Sequence, residues 1–148
     1  MKRYLFLFFL AVTLGWSCNK EDQAETDRNR IVQYLADNNL TAIEDDTGLF
    51  YIIEVPGGAE KPVLSDRVTV GYKGYLTNKT VFDQTAANQP VAFFLDQVIV
   101  GWQIGIPKFG RGGSGILLVP SRLGYGDRRV GSIPANSVLI FEVDLINF

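Results

Sequence analysis

The 148-residue sequence contains no histidine and only one cysteine, Cys18. Without histidine the chain cannot build a Ser–His–Asp triad, an HExxH zinc site or any other imidazole acid–base catalyst. A single cysteine can form neither an internal disulfide nor a cysteine-rich metal site. The charges are nearly balanced, 14 basic against 16 acidic side chains, and therefore give no electrostatic reason to expect nucleic acid as a partner.

The rest of the composition is typical of one globular domain. Hydrophobic residues make up 47% of the chain and charged residues 20%, a balance that argues against a disordered or repetitive protein. A chain of this length buries roughly two-thirds of its surface on folding, so it needs no disulfide framework. No internal repeat is visible.

Residues 1–17 resemble a secretory signal peptide. Lys2 and Arg3 precede an apolar run of eleven residues, YLFLFFLAVTL, which is shorter than the roughly 20 residues of a membrane-spanning helix. The segment ends directly before Cys18 and so resembles a bacterial lipoprotein signal, whose cysteine is lipidated after cleavage. Gly15 stands where such signals usually carry a leucine-like residue, and plain secretion with a leftover thiol is the alternative.

We therefore expect a protein of the bacterial cell envelope, lipid-anchored at Cys18 to the periplasmic or the surface face of the outer membrane. Residues 19–30 are polar throughout, so residues 18–30 are predicted to be the lipidated cysteine and a flexible tether, because such a stretch has no apolar surface to bury. The run Lys20-Glu21-Asp22 resembles the acidic tract of some Gram-negative surface lipoproteins, but a solvated linker explains it equally well.

Residues 31–47 predict an N-terminal helical extension. Ile31, Tyr34 and Leu35 recur at helical spacing, so one face of a short amphipathic helix would be apolar. Thr26 or Asp27 is the predicted N-cap of this helix. The pair Asn38-Asn39 is its predicted end.

Residues 48–148 predict an antiparallel α+β domain with five or six strands and one inner helix. Alternating apolar and polar residues, or runs rich in β-branched and aromatic residues, indicate the strands. The predicted strands are residues 48–55, 67–73, 80–83, 92–95, 115–119 and 138–145.

Two of these elements allow more specific predictions. Asp96 is expected to cap a short helix that runs through Val98, Ile99 and Trp102 and ends at Pro107. The last strand is expected to have one apolar face and one mixed face. The apolar face would consist of Leu139, Phe141, Val143 and Leu145, and the mixed face of Ile140, Glu142 and Asp144.

Two motifs suggest chemistry that their context does not support. Residues 110–115 satisfy the dinucleotide fingerprint GxGxxG, but a β-type run follows them where the mechanism requires a helix. Turn glycines between a helix and a strand are the better interpretation. Asp83 and Asp96 could form the carboxylate pair of a hydrolase, although two such aspartates are more often a buried hydrogen-bond acceptor and a helix cap.

Large apolar residues are spread over strands, the inner helix and a loop in an informative order. Periodicity alone would assign these apolar residues to the hydrophobic core of the domain. Five blocks follow one another at compatible spacings: VGYKGYL at 70–76, VFD at 81–83, VIVGW at 98–102, LGYG at 123–126 and IPANSVLIFEV at 133–143. This series resembles the FKBP-type peptidyl-prolyl cis-trans isomerases over about residues 48–148.

The resemblance implies an FKBP-like antiparallel half-barrel sheet wrapped round a short helix, with a hydrophobic pocket between them. Tyr72, Asp83 and Tyr125 would be the catalytic residues, and the Ile99 backbone N–H a further polar contact. Trp102 would form the pocket floor. The substrate-binding walls would be Phe82, Phe93, Val98, Ile99, Ile133 and Phe141.

The implied activity is acceleration of rotation about X–Pro bonds, which would assist the folding of exported proteins. Proline-containing polypeptides and rapamycin-type macrolides would bind in the pocket, with no cofactor and no metal. The alternatives are a non-catalytic binding or chaperone module of the same fold and a purely structural surface lipoprotein. Val91, Gln84-Thr85 and the basic loop 127–132 depart from the family pattern and would affect substrate preference.

Overall fold

The computed structural model describes residues 20–148. The predicted signal peptide and Cys18 lie outside the described residues. Within residues 20–148, no helix is both long and apolar enough to cross a membrane.

Seven antiparallel strands form one sheet in the described part of the chain, one or two more than the sequence predicts. The sheet order is β1-β2-β6-β7-β3-β4, and β5 pairs with β3 beside β4. The additional strand, β1, has only two residues, which is too short for an alternating pattern. The strands are β1 (Ile43–Glu44), β2 (Phe50–Val55), β3 (Arg67–Leu76), β4 (Val81–Gln84), β5 (Val91–Phe94), β6 (Gly113–Val119) and β7 (Leu139–Asn147).

A short helix, α2 (Val100–Gly105), packs on one face of this sheet. Trp102 and Ile106 are buried there against apolar side chains of the central strands. Gly105 allows the close approach, because a Cβ at this position would lie 2.6 Å from the Leu117 side chain of β6. The core on this face and the pocket described below therefore share the same helix.

The start of α2 differs from the prediction. Asp96 does not cap it, because Asp96 lies in a separate 3-10 turn, Leu95–Gln97. Val98 and Ile99 then adopt extended backbone angles, with ψ of 175° and 149°, which interrupt the helical path before Val100. A second 3-10 turn, Ile106–Lys108, contains Pro107 and follows the end of α2.

A longer helix, α1 (Lys20–Asp37), covers the opposite face of the sheet. Its apolar stripe (Ile31, Tyr34 and Leu35) is buried, as the spacing predicts. The stripe packs in one cluster with Ile140 of β7, which is fully buried. The predicted apolar face of β7 is buried throughout, whereas the mixed face is covered at Ile140 and exposed at Glu142 and Asp144.

Helix α1 also begins earlier than predicted and includes most of the expected flexible tether. Thr26 and Asp27 lie inside the helix and are not its N-cap. The polar side chains of this stretch find partners: Gln23 donates a 2.8 Å hydrogen bond to Asp27, and Arg28 forms a 2.8 Å ion pair with Glu44. The helix ends before Asn39, whose φ of 52° confirms the predicted stop.

Candidate active site

A cavity of about 520 Å³ opens between β3, β4, β5, β7, α2 and the loop of residues 121–136, here called the pocket loop. This volume is in the range of small-molecule and peptide sites, roughly 300–1,000 Å³. Every residue that the sequence predicts for the pocket lines this cavity, and the structure therefore brings all of them together. The lining residues are Tyr72, Phe82, Asp83, Phe93, Gln97, Val98, Ile99, Trp102, Tyr125, Val130, Gly131, Ser132, Ile133 and Phe141.

Aromatic rings enclose Trp102 at the cavity floor. The indole is almost fully buried, and the Tyr72 ring meets it edge-on, with centroids 5.1 Å apart at 87°. Phe93 and Phe141 make similar contacts at 5.8 Å and 5.4 Å. Such edge-to-face arrangements stabilise aromatic pairs beyond their burial, so the floor is a rigid, apolar surface.

Backbone pairing places the walls on this floor. Gly74 of β3 lies opposite Phe141 of β7 and Asp83 of β4 in the sheet register. Because Gly74 has no side chain, the Phe82 and Phe141 rings meet over it, with centroids 5.6 Å apart at 82°. A Cβ at position 74 would lie 2.5 Å from Phe82 and 2.9 Å from Phe141.

One short hydrogen bond connects two polar groups at the cavity mouth. The Tyr72 hydroxyl donates to Asp83 Oδ2 over 2.5 Å. Burial, followed by this hydrogen bond and the negative charge of Asp83, raises the pKa of the Tyr72 phenol above its ordinary value. The phenol therefore stays protonated, and Asp83 is held at the rim as an acceptor.

The pocket loop holds Tyr125 between two glycines. The backbone N–H groups of Gly124 and Gly126 both donate to the Ser121 carbonyl, over 3.0 Å and 2.8 Å. Gly126 has a φ of 62°, a backbone conformation that residues other than glycine rarely adopt. Asn136 donates to the Gly126 carbonyl over 2.8 Å and closes the loop.

Ile99 presents a further polar group. It is the N-cap residue of α2, so the helix does not use its backbone N–H. Its side chain and that of Val98 line the cavity, because the extended backbone before α2 displaces both from the helix. The pocket can therefore offer hydrogen-bond groups at its rim above an apolar floor.

Sequence reasoning missed four lining residues. They lie in irregular segments, where neither alternation nor helical spacing gives a signal. Only the unusual composition of loop 127–132 pointed to part of this group. The missed residues are Gln97, Val130, Gly131 and Ser132.

The structure agrees with the sequence that neither the GxGxxG motif nor the Asp83 and Asp96 pair has the surroundings that its chemistry would require. Residues 110–115 lead from a 3-10 turn into β6, so no helix follows the glycines. Asp83 is hydrogen-bonded to Tyr72, whereas Asp96 does not line the cavity within the described residues. The two aspartates are not brought together as a carboxylate pair.

Comparisons with known proteins agree with this geometry. A model of the FKBP-type peptidyl-prolyl cis-trans isomerase family matches residues 58–146. The chain is 43% identical over 103 residues to the isomerase FkpA of Buchnera aphidicola subsp. Schizaphis graminum and 41% identical over 102 residues to FkpA of Escherichia coli. Each match covers 68% of this chain but only 41% and 38% of the relative, so the chain matches about two-fifths of their length.

Solved structures give the same assignment. The crystal structure of FkpA from Escherichia coli superposes with a TM-score of 0.74 at 34% identity, covering 86% of this chain and 61% of that one. A peptidyl-prolyl cis-trans isomerase from Pseudomonas syringae pv. tomato gives a TM-score of 0.73 at 31% identity, covering 87% and 95%. The chain therefore belongs to the family of FKBP-type peptidyl-prolyl cis-trans isomerases.

Proposed function

We propose that this protein accelerates cis–trans rotation about X–Pro bonds of other exported polypeptides. The observation that carries the proposal is the cavity with its aromatic floor at Trp102 and the hydrogen-bonded pair Tyr72 and Asp83 in its lining. Tyr72, Asp83 and Tyr125 are its proposed catalytic residues. The proposed substrate-binding residues are Phe82, Phe93, Val98, Ile99, Trp102, Ile133 and Phe141.

Catalysis of this rotation depends on the polarity around the peptide bond and does not need a nucleophile or a metal ion. Rotation about a peptide bond has a barrier of about 18–20 kcal/mol, because resonance gives the C–N bond partial double-bond character. Water favours the charge-separated planar form of the amide. An apolar cavity removes that advantage, so the free energy of the twisted transition state comes closer to that of the planar amide. Each 1.36 kcal/mol by which this barrier falls accelerates the rotation about tenfold.

The residues of the cavity have distinct roles in this mechanism. The proline ring lies on the Trp102 indole between the aromatic walls. The Tyr125 hydroxyl and the Ile99 N–H donate to the carbonyl groups that flank the rotating bond. Asp83, fixed by the Tyr72 hydrogen bond, orients polar groups of the substrate at the rim.

The proposed location is the bacterial cell envelope, with a lipid anchor at Cys18. The signal-like residues 1–17 and the position of the single cysteine directly after them support this. The proposed partners are unfolded or folding exported proteins that present proline. Rapamycin-type macrolides are proposed to compete for the same cavity.

A protease-coupled isomerisation assay on X–Pro tetrapeptides tests the proposed activity. The parent protein should accelerate the slow phase, and Tyr125→Phe should lower kcat/KM about two- to tenfold, the equivalent of one hydrogen bond. Tyr51→Phe is the matched control, because Tyr51 lies on β2 away from the cavity and should leave kcat/KM unchanged.

The assay also separates the isomerase from the non-catalytic alternative. A binding module would retain proline-containing peptides in a binding measurement without accelerating their isomerisation. Absence of acceleration on every X–Pro peptide, despite a folded protein, would refute the proposed activity.

A further inference from the structure

A buried acidic side chain connects α1 to the pocket loop. Asp27 is completely buried although it lies in the polar first half of the helix. Its Oδ2 accepts two hydrogen bonds from Ser121, one from the backbone N–H over 2.8 Å and one from the hydroxyl over 2.5 Å. Its Oδ1 accepts from Gln23 over 2.8 Å and lies 3.8 Å from the Arg30 guanidinium.

Ser121 is the residue on which the Tyr125 turn is built. Its carbonyl accepts hydrogen bonds from the backbone N–H groups of Gly124 and Gly126, the two neighbours of Tyr125. The Asp27 carboxylate therefore fixes the same residue that fixes both flanks of Tyr125. A shift of Ser121 would move the Tyr125 backbone with it.

Helix α1 holds the other end of the pocket loop as well. Arg30 donates a 3.0 Å hydrogen bond to the Asn136 carbonyl. Asn136 in turn donates to Gly126 over 2.8 Å, so this contact reaches the same turn. One helical turn of α1 thus binds both the first and the last residue of the loop.

Stability alone does not account for a carboxylate at this position. Burying a charge is costly, and hydrogen-bonded buried ions often give no more stability than well-packed apolar side chains. Unlike an apolar side chain, a carboxylate that accepts two directed hydrogen bonds also fixes the position of the groups that donate them. Here the donors belong to the turn that carries a proposed catalytic side chain.

We propose that Asp27 is a positioning residue of the active site. Through Ser121 it fixes the Tyr125 turn at the cavity, and α1 is therefore part of the isomerase and more than a spacer. The inference rests on the proposed isomerase function and assigns a role outside the cavity lining.

Two substitutions at Asp27 and one control test this inference. Asp27→Ala removes both hydrogen bonds from Ser121 and the one from Gln23. It should lower kcat/KM about five- to tenfold, because small misplacements of a catalytic group are costly. Asp27→Asn keeps an oxygen acceptor for Ser121 and should recover most of the parental value. Arg28→Ala removes an exposed ion pair on the same helix and should have no effect on kcat/KM.

Amide hydrogen exchange provides a readout that does not depend on activity. In Asp27→Ala, the Gly124 and Gly126 amides should exchange several times faster than in the parent, well below the unfolding temperature. If Asp27→Ala does not fold, Ser121→Ala removes only the hydroxyl bond and should change both readouts in the same direction by less.

The outcomes separate this inference from the function on which it rests. An inactive parent would contradict the isomerase proposal, whereas the exchange of the two glycine amides would still show whether Asp27 positions the turn. If Asp27→Ala lowers only the unfolding temperature and leaves both kcat/KM and amide exchange at parental values, Asp27 is merely structural and the inference is wrong.

Discussion

At residue 74, the absence of a side chain determines the shape of the pocket wall. Phe82 and Phe141 come from different strands, and their rings meet directly above Gly74. Interiors are packed densely enough that even one added methyl group must displace its neighbours. Gly74 is therefore as important to the cavity as the aromatic residues that visibly line it.

Gly74→Ala should disturb the wall while leaving the fold in place. The new Cβ would lie 2.5 Å from Phe82, so the two rings must move apart. We expect a loss of about 1–3 kcal/mol in the free energy of unfolding, the usual cost of overpacking. Peptide KM should rise in parallel. Urea unfolding and steady-state kinetics measure the two effects.

Gly71→Ala is the matched control on the same strand. A Cβ at Gly71 would meet its nearest atoms, those of Asp144, at 3.8 Å, an ordinary contact distance. This variant should keep the parental KM. Equal losses in the two variants would mean that any alanine in β3 is harmful and that the ring contact is not specific.

At the scale of elements, the two faces of the sheet have different functions. One face and α2 form the floor of the cavity, whereas the opposite face is covered by α1. Strand β7 contributes to both layers, because Phe141 faces the cavity and Ile140 faces α1. Packing of α1 and geometry of the pocket are therefore connected through the same strand.

Truncating the buried face of α1 tests how firmly this helix belongs to the domain. Ile31 is fully buried, so Ile31→Ala should lower the free energy of unfolding by about 2–5 kcal/mol in urea denaturation. Val32 is 43% exposed on the same helix, and Val32→Ala should change stability by less than about 0.5 kcal/mol. A negligible effect at Ile31 would mean that α1 is not docked.

Regular elements could be predicted from the sequence and irregular ones could not. Strand β3 follows from the alternation of Val68, Val70 and Tyr72, because one face of the strand is buried. The early start of α1 could not be predicted, since its polar side chains are satisfied by partners distant in sequence, such as Ser121. The break before α2 depends on the extended backbone of Val98 and Ile99, two β-branched residues that the predicted helix includes.

The pocket was predictable to a greater extent than the fold details around it. Most of its aromatic and polar residues lie in sequence blocks that resemble a known family, and the structure brings them into one cavity. Val130, Gly131 and Ser132 were not singled out as lining residues because the loop conformation that turns them to the cavity has no periodic pattern. The local pattern predicts Thr26 or Asp27 as a helix cap, because it does not show that Asp27 is buried against Ser121, 94 residues away in sequence.

At the scale of the whole molecule, the proposed lipid anchor at Cys18 would tether the domain by its N terminus. Cys18→Ser should move the protein from the membrane fraction to the soluble envelope fraction, because the proposed lipid attachment site is lost. Labelled palmitate should be incorporated into the parent and not into the variant. A variant that still sediments with membranes, together with an unlabelled parent, would rule out the lipid anchor.

The proposed function requires that X–Pro bonds isomerise in the cavity above Trp102. Exchange NMR of an X–Pro peptide with resolved cis and trans signals, recorded with substoichiometric protein, tests it most directly. We predict exchange cross-peaks that are absent without protein and that disappear when rapamycin reaches the protein concentration. No catalysed exchange, or exchange that persists with saturating rapamycin bound, would contradict the account.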